Sequence, residues 1–165
     1  MIMKFLPIEN IVYKTSLTED EATERLYENI EYEYDMFYCK SKKSYIGKID
    51  EQSFNIRRNI KYRNSFLPRI SGTIINDSDS LTIKVKMQPH VFVFVWFSIW
   101  CIFSISFAGI AITQMFINSN FDSVIFISFG MLLFGYAIMM GGFKYESSLS
   151  KTDLKKIFQV EIIEE

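Results

Sequence analysis

The chain has 165 residues, 49% of them apolar and 22% charged, and its 18 Lys and Arg nearly balance 19 Asp and Glu for a net charge of −1. A mean hydropathy of +0.12 beside that much charge excludes an evenly mixed surface, so apolar and charged residues must be segregated along the chain. Two Cys and one His exclude a disulfide framework and leave no ligand set for zinc.

The chain opens with "MIMKFLPIEN", an apolar run stopped at Glu9 and too short for a signal-peptide core. "NIVYKTS" alternates and predicts a first strand. "TEDEATERLYENI" predicts a helix. Thr18 with Glu21 fits a capping box, acids fill the first turn where the helix dipole favours them, and Ala22, Leu26 and Ile30 form a buried stripe. "EYEYDMFYCKSKK" reads as loop or strand. Cys39 beside Lys40, Lys42 and Lys43 has a reason for a lowered pKa but no assignable base, which favours an inert thiol.

Short strands follow. "SYIGKID" turns at residues 50–52 into "SFNIRR", and "RISGTII" turns at "NDSDS" into "LTIKVKM". Leu81, Ile83, Val85 and Met87 share one face of the last strand, with Thr82, Lys84 and Lys86 on the other. Phe54 and Ile56 alternate in the same way, as do Ile70, Gly72 and Ile74, so a half-buried antiparallel meander is expected. Between the strand pairs lies "KYRNSFLPRISG", read as a loop with a strand from Ser65 onward and Pro68 on its edge. The glycosylation triplet at Asn76, Asp77 and Ser78 carries no weight on a cytoplasmic face.

Pro89 ends the last strand and opens a helix with almost no linker. Residues 91–121 and 123–143 carry no charged side chain, and each is long enough to cross a bilayer. All 18 Lys and Arg lie outside these spans and none lies in the turn between them, which predicts both termini on the cytoplasmic side. His90 reads as an interfacial residue or a proton-linked switch. Trp96 and Trp100 read as headgroup anchors or as packing against the second span. Ser104, Ala108 and Ala111 on one span, and Gly130, Ala137 and Gly141 on the other, are candidates for the hairpin seam, with oligomer contacts as the alternative. After the second span, Ser150 reads as the cap of a short helix with Leu154, Ile157 and Phe158 as its apolar stripe, and "VEIIEE" could add a strand.

The expected fold class is α+β: a small cytoplasmic antiparallel-sheet domain with packed helices, carrying a two-helix transmembrane hairpin. Residues 1–90 form the domain, 91–117 the first transmembrane helix, 118–122 an extracytoplasmic turn, 123–143 the second helix, and 144–165 a cytoplasmic tail whose short helix packs back on the domain.

Residues 18–35 hold eight acids and one Arg, and residues 40–69 hold nine bases and two acids. Such a dipole either compensates within the fold or offers a basic surface. Arg57, Arg58, Lys61, Arg63 and Arg69 then form a solvated rim, or some of them bind an anion. With one strand ending at the membrane, Arg63, Arg69, Lys84 and Lys86 are the candidate anion or lipid contacts, because Arg binds phosphate bidentately and bases are drawn to anionic leaflets. There is no nucleophile elbow, no phosphate-binding glycine loop and no telling carboxylate pair, so no catalytic, cofactor or metal residue is assigned. The spans hold no ionisable side chain, which argues against a transporter.

Three strand and loop patterns carry a resemblance: Tyr45, Gly47 and Ile49; Phe54, Ile56 and Arg58; and Arg63, Asn64, Ser65, Phe66 and Pro68. Over about residues 44–140 the chain resembles a group of small uncharacterised bacterial membrane proteins with a short α+β region and two transmembrane helices. The resemblance implies the architecture only and carries no activity or site; the expected location, from the spans and the charge distribution, is the bacterial inner membrane. The expected function is a non-enzymatic, membrane-anchored binding or scaffold module, with membrane lipids and either a protein partner or self-association, and without nucleic acid. A sensor of anionic lipid or small anions built on residues 57–86 is the alternative, and an enzyme of unknown type the second.

Overall fold

Seven strands in one sheet and three helices build the chain in a computed structural model that describes residues 5–32, 43–77, 80–118, 123–160 and 162–164. Expectations for Cys39, for Ser78 and for the turn at 119–122 lie outside the described residues.

Strand β1 (Glu9–Thr15) leads into helix α1 (Glu19–Asn29), where Thr18 and Glu21 form the expected reciprocal cap. Ala22 and Leu26 are fully buried, and Ile30 ends the stripe. Ile30 is already extended while its N–H still bonds the Leu26 carbonyl, so β2 (Ile30–Tyr32) leaves the helix without a turn. β3 (Tyr45–Ile49), β4 (Ser53–Arg58), β5 (Arg69–Asp77) and β6 (Ser80–Gln88) form the antiparallel meander. β1 pairs with β6, and β7 (Ile162–Glu164) pairs with β1, which gives the order β2-β3-β4-β5-β6-β1-β7. β2 runs parallel to β3, so the sheet is mixed at that edge rather than wholly antiparallel. A parallel neighbour requires a connection of about a dozen residues, and the chain from 33 to 44 has that length.

Helices α2 (Val91–Asn118) and α3 (Val124–Phe158) are both long and apolar enough to cross a membrane. α2 starts three residues after β6, and His90 Nδ1 accepts the Phe92 N–H at 3.1 Å as its cap. α3 is a single helix of 35 residues, about 52 Å long at 1.5 Å per residue. The separate tail helix capped by Ser150 is therefore not formed. Residues 143–158 contain neither Gly nor Pro, and Ser150 is a buried mid-helix residue beside the Tyr45 phenol. The helix ends at Gln159 in the left-handed region (φ 51°), where the Val160 N–H reaches back to the Lys155 carbonyl at 3.1 Å.

One face of the sheet packs on α1 and on the second half of α3. Leu81, Ile83, Val85, Met87, Phe54, Ile56, Ile70 and Ile74 meet Leu154, Ile157 and Phe158 there, as the alternation predicts. Gly72 leaves room for the Phe54 ring: a Cβ at Gly72 would lie 2.0 Å from its tip.

The hairpin seam is only partly the expected one. Ser104 and Ala111 on α2 are buried, but on α3 the buried small residues are Ser128 and Gly135. Gly130, Ala137 and Gly141 face outward. Trp100 decides the rotation of α3: its indole lies over Gly135 and donates to the Met131 carbonyl at 3.2 Å, which a side chain at 135 would block. Trp100 is thus a packing residue, stacked on a more exposed Trp96.

Candidate functional site

Two polar features stand out, one where α3 meets the sheet and one on the opposite sheet face. The first is a latch. On α3, residues 144, 147 and 151 lie along one stripe and 146, 150 and 153 along another, by helical spacing. Glu9, at the start of β1, is bonded by Lys144 and Ser147, and by Lys151 at 3.0 Å. Burial would raise the Glu9 pKa, but the bonds from Lys144, Ser147 and Lys151 outweigh it and hold the carboxyl below its ordinary value. On the second stripe, the wholly buried Glu146 accepts from Arg58 Nη1 at 3.0 Å, from Asn64 Nδ2 at 3.3 Å and from the Tyr62 hydroxyl. Arg58 also reaches Asp153 at 3.5 Å, and the Tyr45 hydroxyl lies 3.3 Å from the same Asp153 carboxylate. Burial and the neighbouring Asp153 charge push the Tyr45 phenol well above its usual range. Arg58 is therefore an ion-paired core residue and not part of the solvated rim.

The loop 59–68 is fastened to α3 by this latch. The Asn64 Oδ1 accepts the Phe66 N–H at 2.9 Å and the Asn64 carbonyl accepts the Leu67 N–H at 3.3 Å, which fixes the turn. Phe66 then lies against Gly142, where a Cβ would stand 2.9 Å from the ring. The strand begins at Arg69, not at Ser65, because Tyr62, Asn64 and Phe66 are committed to α3.

The second feature is the face of the sheet turned away from α1 and α3. Lys84 and Lys86 lie exposed on β6, opposite Thr73 and Ser71 of β5. Arg69 pairs with Gln88 at the α2 end of β5, diagonal to Lys86 and so about 7–8 Å away between backbones. Lys48 on β3 and Arg57 on β4 extend this face. Lys48, Arg57 and Arg69 surround a hollow of about 640 Å³ whose wall includes Asn55, Ser71 and His90. Among the described residues no carboxylate lines it, and none pairs with Arg69, Lys84 or Lys86. Of the four candidate contacts, Arg69, Lys84 and Lys86 thus share a face, while Arg63 is exposed on the loop and does not line the hollow, although Asn64 and Ser65 beside it do. Arg57 is one of the rim cations the sequence offers for an anion, whereas Lys48 is not among them, and its place on this face follows only from the strand register.

Among the described residues no group of His, Cys, Asp or Glu is arranged to hold a metal ion. No family model matches the chain, and neither does a curated protein or a solved structure.

Proposed function

We propose that the protein is a membrane-anchored, non-enzymatic binding module of a bacterial inner membrane, held by the α2–α3 hairpin with both ends cytoplasmic, whose open basic sheet face binds anionic phospholipid headgroups. The hairpin supports the anchor: only 11% and 17% of the most apolar stretches of α2 and α3 are covered by protein, and an exposed apolar surface of that extent needs a lipid environment. The confinement of Lys and Arg to one side of both spans supports the orientation. The observation that carries the binding reading is the row of Arg69, Lys86 and Lys84, which leads away from His90 and, among the described residues, has no carboxylate paired with it. Each base near an anionic leaflet contributes about 1 kcal/mol, so three together select an anionic surface.

The second half of α3 belongs to the core of the sheet, so the full chain is the object to test. In neutral detergent, short-chain phosphatidylglycerol should raise the thermal midpoint and phosphatidylcholine should not, and added salt should shrink the gain. Replacing Arg69, Lys84 and Lys86 together by Gln should remove the gain, whereas Arg63→Gln should keep it. Equal gains from both lipids, or a gain indifferent to the triple change, would sink the reading. The same gain from inorganic phosphate alone would identify a free anion as the ligand instead.

A further inference from the structure

We propose that residues 5–8 run into the acyl-chain layer beside α3 and form a short third contact with the membrane. The inference rests on the reading that α2 and α3 span the bilayer. Its observations lie at the two ends of the segment. At one end Glu9 is tied to Lys144, the first charged side chain after the apolar stretch of α3, and to Lys151 two turns on. At the other end the Tyr136 hydroxyl donates to the Phe5 carbonyl at 2.9 Å. Tyr136 precedes Lys144 by eight helical residues, which places it about 12 Å deeper along the helix. Residues 5–7 turn and bend rather than run extended, so it is the Tyr136 bond that seats Phe5 beside the apolar stretch of α3, on the bilayer side of the charged boundary at Lys144.

The chemistry of the segment suits that layer. Phe5 is 80% exposed and Leu6 47% exposed, which is unfavourable in water and favourable among acyl chains. Non-helical backbone at membrane depth is tolerated only where its polar groups are satisfied or covered by protein. The Phe5 carbonyl has the Tyr136 hydroxyl, and Pro7 is buried and has no N–H to satisfy. The occupant of the surface formed by Phe5 and Leu6 is therefore the acyl-chain region of the leaflet nearer the sheet. Tyr136 is the positioning residue.

The test is a nitroxide depth measurement on the full chain in phosphatidylcholine–phosphatidylglycerol vesicles, with Cys39→Ser and Cys101→Ser removing the native thiols. Labels are attached through Phe5→Cys, through Ile127→Cys on the exposed surface of α3, and through Glu51→Cys in the exposed turn between β3 and β4, at the end of the sheet away from α2. The label at position 5 should collide readily with oxygen and several-fold less often than the label at 51 with an aqueous nickel chelate. Adding Tyr136→Phe should raise nickel access at position 5 and leave 127 unchanged. Nickel access at 5 equal to that at 51, with 127 shielded, would overturn the proposal while the spanning hairpin stood. Nickel access at 127 would overturn both. Leu6→Cys supplies an independent label, and agreement of the two sites with the aqueous control would be equally fatal.

Discussion

Asn64 and Glu146 stand 82 positions apart in the chain, and the amide of one donates to the carboxylate of the other at 3.3 Å. Arg58 and Tyr62 close on the same carboxylate, so the loop 59–68 works as a clamp on the helix that leaves the hairpin. The loop's chemistry is structural first: its polar residues hold α3, and its exposed Arg63 stands apart.

Removing one side of the latch should be costly. Glu146→Ala leaves a half-buried Arg58 with Asp153 alone, and losing its charge-assisted bond to the buried carboxylate should cost about 1.5–3 kcal/mol. Chemical unfolding in detergent should show that loss, and a comparable one for Arg58→Ala. Replacing both residues with apolar ones of similar size should cost less than the two single losses added. Additive losses would mean that the pair is not coupled.

Stability should fall in acid through Glu9. Its carboxyl titrates below the ordinary 4.5 when folded, so its pairing with Lys144 and Lys151 stabilises the fold above that value. The contribution fades as pH drops through the lowered folded value. Glu9→Gln should be less stable than the wild type near neutrality, and the difference should shrink below about pH 4.5. Thermal midpoints measured across that range should converge toward acid; curves that stay parallel would exclude Glu9 as the titrating group.

Gly72→Ala should weaken the core. The new methyl would stand 2.0 Å from the tip of the fully buried Phe54 ring, which is itself packed on Phe158 at 6.2 Å between centroids. Overpacking of this kind costs about 1–3 kcal/mol. Pairing the change with Phe54→Leu should restore part of the loss, and no rescue would mean that the ring is not the obstacle.

Gly135→Val should open the hairpin near Trp100. The indole nitrogen would lie 2.8 Å from the added Cβ, and its bond to the Met131 carbonyl would be lost. Tryptophan emission should shift while Gly130→Val, where a Cβ meets nothing within 4 Å, leaves it unchanged. Identical spectra for both variants would contradict the packing described.

Alternation and helical spacing made most of this fold legible. The core faces of β4, β5 and β6, the α1 cap and the Leu154–Phe158 stripe all follow from local patterns that tertiary contacts left intact. The continuity of α3 was hidden because a Ser-rich stretch after Lys144 resembles a helix start, and only its contacts with Glu9, Tyr45 and Arg58 show why it stays helical. The seam on α3 was misplaced for a similar reason. Several glycines satisfy the spacing, and the position of Trp100 chooses among them. The basic face was partly visible, since Lys84 and Lys86 alternate with the core, but which other cations join them depends on register rather than on any local signal. Glu146 could have been found by one question: what neutralises a lone acid three residues past the last apolar span?

Because α3 passes from Val124 to Phe158 without a break, the sheet has no swivel of its own. The far end of the helix is pinned where the Thr15 hydroxyl meets the Phe158 carbonyl at 3.0 Å, and the near end is bolted by Glu9 and Glu146. Any tilt or axial turn of the hairpin is handed to the sheet in full, as in a lever cut from one piece. Under the proposed membrane reading, the bearing of the Arg69–Lys86–Lys84 row is then set by how the two helices sit in the lipid, and a change in bilayer thickness would steer it.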